Sequence, residues 1–199
     1  MLKQYLSLLL FVLIFFASCE SPVYNPKPRA YPKVEYPTRT YQAFDEDYCA
    51  FRFEHPDYMQ VIQDERYFDE ASKHECWFDL YMKDFDSRLH CTYYPINSRG
   101  EFEKLLVDAF ELAGKHNMRA DYIEERPIER PGNVKGFAFD IEGAAASPFQ
   151  FFVTDSTRHF LRASLYFNTQ ARPDSLAPVY DFVKKDIEHL IQTFSWKEN

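Results

Sequence analysis

The sequence predicts a single α+β domain: a mostly antiparallel sheet with two amphipathic helices packed on it, preceded by an export signal and a proline-rich tether. Three observations carry this expectation. Apolar and polar residues alternate with period two in run after run beyond Gln42. Two other stretches repeat their apolar residues at three- and four-residue spacing, the mark of a helix with one buried face. The connections between the strand-like runs are short, which favours antiparallel neighbours.

The chain opens with Lys3, an unbroken apolar run from Leu8 to Phe16, and the small residues Ala17 and Ser18. A basic end, an apolar core and a small-residue cleavage site are the order of a secretory signal. The run falls short of the roughly 18 apolar residues a spanning helix needs, and no basic stop-transfer cluster follows it. Cysteine directly after Ala17-Ser18 is the lipobox arrangement, with Phe16 standing where leucine is usual. Residues 1–18 are therefore expected to be a lipoprotein signal peptide, and Cys19 the site of lipid attachment, its thiol acylated with a fatty acid such as palmitate. Each buried acyl CH₂ contributes about 0.8 kcal/mol, so two or three chains hold a protein on a membrane.

Residues 19–41 follow as a tether in which Pro22, Pro26, Pro28, Pro32 and Pro37 interleave with Tyr24, Tyr31, Tyr36 and Tyr41. Without apolar periodicity such a segment is expected to be stiff and extended, reaching on the order of 70 Å at about 3.1 Å per residue. Residues 42–199 are the expected globular domain. Phe51 and Phe53 alternate with Arg52 and Glu54. Phe78, Leu80 and Met82 alternate with Trp77, Asp79 and Tyr81, and Leu89, Cys91 and Tyr93 with Arg88, His90 and Thr92. Lys83 to Ser87 reads as the hairpin joining the last two runs. Ser98 and Glu101 form a capping box ahead of Phe102, Leu105, Leu106, Ala109, Phe110 and Ala113, predicting a helix that ends near His116 or Asn117. Strands are predicted at Tyr122 to Ile128, Val134 to Ile141, Phe149 to Thr154 and His159 to Phe167. The third of these is apolar on both sides, as a central strand covered on two faces would be. A last helix is expected to start from Asp174 or Ser175 as cap, with Pro178 in its first turn and Val179, Phe182, Val183, Ile187, Leu190, Ile191 and Phe194 on its buried side. This order of elements is similar to the PsbP-like fold.

The whole chain carries a net charge of −8. Between Gln42 and Asn199, 29 acidic residues stand against 18 basic ones, a net −11 that argues against nucleic acid as a partner. With 20 Phe, 14 Tyr and five Gly, the core is expected to be aromatic and the loops compact.

Several polar groups invite a chemical reading. His74, Cys76, His90 and Cys91 are ligand types, but neighbours in a strand point to opposite faces, and no C-x-x-C pair exists. Cys49, Cys76 and Cys91 in an oxidising compartment admit one disulfide in any of three pairings, or buried free thiols. Asp155, Ser156 and His159 are the residue types of a hydrolase triad. Triads are assembled from distant positions, however, and Thr154 to Arg158 lies between two strand runs as a hairpin turn would. Gly143 to Ser147 reads as a small-residue connection allowing close backbone approach. Asp45, Glu46, Asp47, Asp64 and Glu65 lack the regular spacing of a calcium loop. No G-x-S-x-G elbow, H-E-x-x-H helix or phosphate-cradling loop is present. The residues alone thus point to no catalytic group, metal or cofactor.

The stretch from Ala145 through Ser147-Pro148-Phe149-Gln150-Phe151 and Asp155-Ser156-Thr157-Arg158-His159 to Asn168 resembles the gliding motility lipoprotein family GldD. So do Asp174-Ser175-Leu176-Ala177-Pro178 with the helix after them, and Pro26-Lys27-Pro28-Arg29-Ala30-Tyr31 in the tether. Cys49-Ala50-Phe51 is a looser match, with Ala50 where the pattern has proline. The resemblance implies an envelope lipoprotein, facing the periplasm, that supports gliding and the associated type 9 secretion machinery. Its expected partners are other envelope proteins of that machinery and the membrane through its lipid. It implies no enzymatic activity. The competing expectations are a lipid-tethered binding module for a small or glycan ligand, with exposed Tyr and Trp as a platform, and a hydrolase whose triad is dispersed in sequence.

Overall fold

The computed structural model describes residues 33–63, 66–67, 70–71, 74–170 and 172–197. The expected signal peptide, Cys19, the tether as far as Pro32, and Asp64 with Glu65 lie outside them. Residues Lys33–Asn199 cluster as one compact unit.

Short strands open the unit: β1 (Tyr41–Phe44), β2 (Phe51–Pro56), β3 (Met59–Ile62), β4 (Arg66–Tyr67) and β5 (Glu70–Ala71). The hairpin β6 (Phe78–Met82) and β7 (Ser87–Pro95) turns through a 3₁₀ segment at Lys83–Phe85, and helix α1 (Arg99–Gly114) follows. The meander β8 (Ala120–Arg130), β9 (Val134–Gly143), β10 (Phe149–Thr154) and β11 (His159–Phe167) leads to helix α2 (Pro173–Thr193) and the short β12 (Ser195–Trp196). Seven strands pair in the order β3-β6-β7-β11-β10-β9-β8, each antiparallel to its neighbour. A second sheet, β1-β2-β12, lies alongside. The fold is the expected α+β domain.

The two helices take opposite faces of the large sheet. On one face Phe137, Phe139, Phe152 and Phe160 meet Leu105, Ala109, Phe110 and Ala113 of α1. Phe110 stands edge-on to three of those rings, with centroids 5.2 to 5.9 Å away, the geometry the aromatic quadrupole favours. On the other face Phe149, Phe151, Val153, Leu161, Ala163 and Leu165 meet Val183, Ile187, Leu190 and Ile191 of α2. The small sheet extends that layer, its Phe44 and Phe53 rings stacking on each other and on Phe78 of β6. Strand β10 lies between the two layers, so all six of its residues are buried, as its two-sided apolar sequence predicted.

The helix starts differ in kind. Ser98 Oγ accepts the Glu101 N–H at 3.2 Å, but the returning bond runs from the Asn97 N–H to Glu101 Oε2 at 2.8 Å, one residue earlier than in the usual capping box. Helix α2 departs from expectation: neither Asp174 nor Ser175 is its cap. Arg172 occupies the cap position with no side-chain bond and Pro173 is the first helical residue, because a fixed φ and a missing N–H cost nothing there. Pro178 consequently lies inside the helix, past the first turn, and removes one backbone bond.

The folded unit also begins earlier than the expected boundary at Gln42. Tyr41 opens β1, the Tyr36 ring lies tilted 4.7 Å from that of Phe182, and Arg39 donates to Asp186 at 2.8 Å. The cause is a fully buried carboxylate on α2, invisible to apolar periodicity, one oxygen of which accepts both its bonds from this stretch of chain. Cys49 and Cys76 form the disulfide and Cys91 is the buried free thiol, pushed well above the ordinary range by burial. Closing a 27-residue separation lowers the unfolded chain's entropy by the equivalent of about 3.5 kcal/mol.

Candidate functional site

The polar residues singled out in the sequence do not assemble. Cys76 is consumed by the disulfide, and its backbone N–H donates to His74 Nδ1 at 3.0 Å. His90 Nδ1 lies 2.5 Å from Asp79 Oδ1, while Cys91, the next residue, is buried and directs its thiol to the Leu89 carbonyl. Among the described residues no group of three or more His, Cys, Asp or Glu is placed to hold a metal ion.

Asp155, Ser156 and His159 close a hairpin. Asp155 Oδ1 accepts the backbone N–H groups of Thr157, Arg158 and His159 at 2.9, 2.7 and 2.9 Å, and Ser156 stands exposed at φ 67°. His159 Nδ1 shares a hydrogen bond of 2.6 Å with the Tyr93 hydroxyl, away from Asp155 and Ser156, and burial holds its pKa below the usual histidine range. Burial by itself raises the Asp155 carboxyl, but the three N–H donors outweigh it and hold the group below the ordinary carboxylate value. A depressed folded pKa contributes stability above the unfolded value and loses it as pH falls through the folded one. Asp155→Asn is therefore expected to unfold about 1–2 kcal/mol more easily at neutral pH. The gap to wild type should close toward acid; a gap unchanged in urea melts down to pH 2 would contradict this role.

A cavity of about 330 Å³ opens where β9 leaves the sheet beneath the first turns of α2. One wall is the connection after β9, with Ala145, Ala146 and Pro148; the other is α2, with Leu176, Ala177 and Tyr180. The small-residue connection does what its composition predicted. Gly143 adopts φ +107° and passes so close to the start of β8 that a Cβ there would lie 2.7 Å from the Asp121 nitrogen and 2.9 Å from the Arg119 oxygen. No larger residue permits this approach, which gives the cavity its rim.

Asp140 of β9 stands in the cavity's inner wall, 8% exposed. It accepts from the Tyr180 hydroxyl at 2.5 Å and pairs with Lys184 Nζ, one helical turn further along α2. The Tyr180 hydroxyl also reaches the Pro148 carbonyl at 3.3 Å, tying both walls together, and burial followed by the bond to Asp140 pushes its pKa far up. A carboxylate so paired is held as an acceptor and is not presented as a base or nucleophile. Sequence reasoning passed over this group. Alternation with Phe139 and Ile141 sets Asp140 on the face opposite α1, but only α2 buries it there. An acid in an otherwise apolar strand, with Tyr180 and Lys184 four apart on a helix, was the available signal.

The stretches that set this chain apart, Ala145 to Asn168 and Asp174 to Pro178, supply both walls of that cavity. Among solved structures, the chain is similar to cyanobacterial PsbP from Synechocystis sp. PCC 6803, with 10% identity and a TM-score of 0.48 over 86% of this chain and 99% of that one. No curated protein matches it. The family model described as gliding motility lipoprotein GldD matches residues 21–196, through the end of β12. With the whole sheet and both cavity walls inside one match, the chain belongs to the gliding motility lipoprotein GldD family.

Proposed function

We propose that this protein is a non-enzymatic component of the cell envelope that supports gliding and the type 9 secretion machinery associated with it through protein contacts, from the periplasmic side. The family supplies the coarser part: a lipoprotein of gliding motility, anchored in the envelope. The observation that supports contact without chemistry is the cavity, whose buried acid is paired with Lys184 and hydrogen-bonded by Tyr180 between apolar walls, an arrangement suited to seating a group and not to transforming one. Crosslinking in the native envelope, followed by identification of the attached proteins, tests it; recovery of lipid alone would count against contacts with the machinery. A second reading, a tethered module for a small ligand, draws on the cavity's volume, which falls in the roughly 300–1,000 Å³ range of small-molecule sites.

Lipid at Cys19 is the proposed anchor. No helix among the described residues is long and apolar enough to cross a membrane. Cys19→Ala is expected to abolish membrane attachment while the domain folds, because both hydrophobic clusters are built from residues beyond Gln42. Mutant protein that stays in the membrane pellet after a carbonate wash would remove the lipid as principal anchor.

A further inference from the structure

We propose that the cavity between the β9–β10 connection and α2 is a docking pocket for a basic, aromatic-bearing segment of a partner protein, a reading that rests on the proposed role in protein contacts and gives that contact its chemistry. The pocket offers apolar walls to a large side chain: Ala145, Ala146 and Pro148 face Leu176 and Ala177, and the volume of about 330 Å³ accepts an aromatic ring with adjoining backbone. Every charged residue lining it is acidic: Asp121, Asp140, Glu142 and Asp174. Lys184, the cation beside it, is committed to Asp140, so the interior is neutralised while Asp121 and Glu142 stand exposed at the mouth.

Exposed apolar side chains adjoin the mouth. Tyr122 pairs directly with Glu142 across β8 and β9, so the two side chains share a face, and Tyr122 is 60% exposed. Met118, just before β8, is 95% exposed. An exposed ring beside a carboxylate favours a guanidinium or ammonium through both the ring face and the charge. A domain carrying a net −11 over residues 42–199 draws basic segments and repels acidic ones. The occupant that satisfies the pocket and its rim together is a peptide segment with one aromatic side chain flanked by Lys or Arg. An acidic or uncharged segment satisfies the walls and leaves the rim unpaired.

The probe is a synthetic Lys-Arg-Trp-Lys amide, titrated into the full-length lipoprotein in detergent, beside versions with Ala for the Trp and with Glu for the basic residues. The basic aromatic peptide is expected to bind at least about tenfold tighter than either control. Asp121→Asn with Glu142→Gln is expected to remove most of that preference, and Ala177→Trp, which fills the pocket from an exposed helix position, to abolish binding. Ala146→Trp fills it from the opposite wall and keeps the test valid if one variant folds poorly. Equal binding of the Ala peptide reduces the site to an acidic surface, and equal binding of the Glu peptide reduces it to an unselective apolar cavity; either result overturns the proposal. Complementation of gliding separates the two levels. Selective peptide binding with normal gliding by both filled variants refutes the role of this pocket in motility, whereas lost gliding with unselective binding leaves the contact standing and refutes its basic aromatic occupant.

Discussion

Gly136→Ala is expected to prevent the domain from reaching its native state under conditions where the wild type is folded, a loss on the order of 4 kcal/mol or more, at the extreme of single substitutions. Gly136 lies in β9, opposite Val153 of β10 and Ile128 of β8, in the interior of the seven-stranded sheet. A Cβ at this position would fall inside the van der Waals envelope of the Phe152 carbonyl oxygen, 2.8 Å from the Phe152 carbonyl carbon and 3.1 Å from Val153 Cα. All three obstacles are backbone, so no rotamer change relieves them, and β9 and β10 must separate. That separation breaks the pairing that aligns Phe137, Phe139 and Phe152 under α1. Gly100→Ala is the matched control: nothing lies within 4 Å of its Cβ, and alanine in a helix is about 1 kcal/mol better than glycine. Urea unfolding of both variants decides it; a Gly136→Ala midpoint equal to wild type would show that the strands do not approach as described.

Asp186→Ala is expected to cost about 2–3 kcal/mol, because three donors lose a fully buried carboxylate while Arg39 and Tyr41 are exposed enough to turn to water. Oδ1 accepts from Arg39 Nε at 2.8 Å and from the Tyr41 hydroxyl at 2.7 Å, and Oδ2 from the Tyr58 hydroxyl at 2.5 Å. Burial, then the bond to Asp186, pushes the Tyr41 hydroxyl up to about 12, so it remains a donor at neutral pH. Arg39 adds a bond to the Phe182 carbonyl at 2.9 Å and lies 4.1 Å over the Phe182 ring. One acid on α2 thereby fastens the chain entering β1 to the helix that closes the domain. Its removal should also accelerate tryptic cleavage after Arg39, whereas Asp186→Asn, which keeps an acceptor, should show a smaller effect in both assays. Unchanged stability together with unchanged cleavage would show that this cluster does not hold the segment.

The same cluster separates the basic residues of the proline-rich segment. Lys27, Arg29, Lys33 and Arg39 look alike in the sequence, four bases among prolines. Lys33 is exposed and pairs with Glu35, two residues away, whereas Arg39 reaches a residue 147 positions later. Changing all four to glutamine would test docking and electrostatics at once; changing Lys27, Arg29 and Lys33 with Arg39 retained isolates the charge of the tether.

Local rules determined much of this protein. Period-two alternation located β2, β6, β7 and β9, because a strand with one buried face repeats every second residue whatever covers it, and β10 was legible instead as a run apolar on both sides. The two helices were legible for the same reason at 3.6 residues, and the Asp155 turn from residues that bond their own backbone. The cavity, the disulfide partner and the point where the tether becomes domain were decided by tertiary structure. Asp140 and Asp186 are single acids in apolar surroundings whose meaning depends on which element lies over them: α2 over Asp140, and the chain from Arg39 to Tyr41 over Asp186. Among Cys49, Cys76 and Cys91 the sequence allowed three pairings. The fold left Cys91 pointing into the core beneath Leu89 and brought Cys49 and Cys76 to 5.3 Å between Cα atoms, a distance no periodicity encodes.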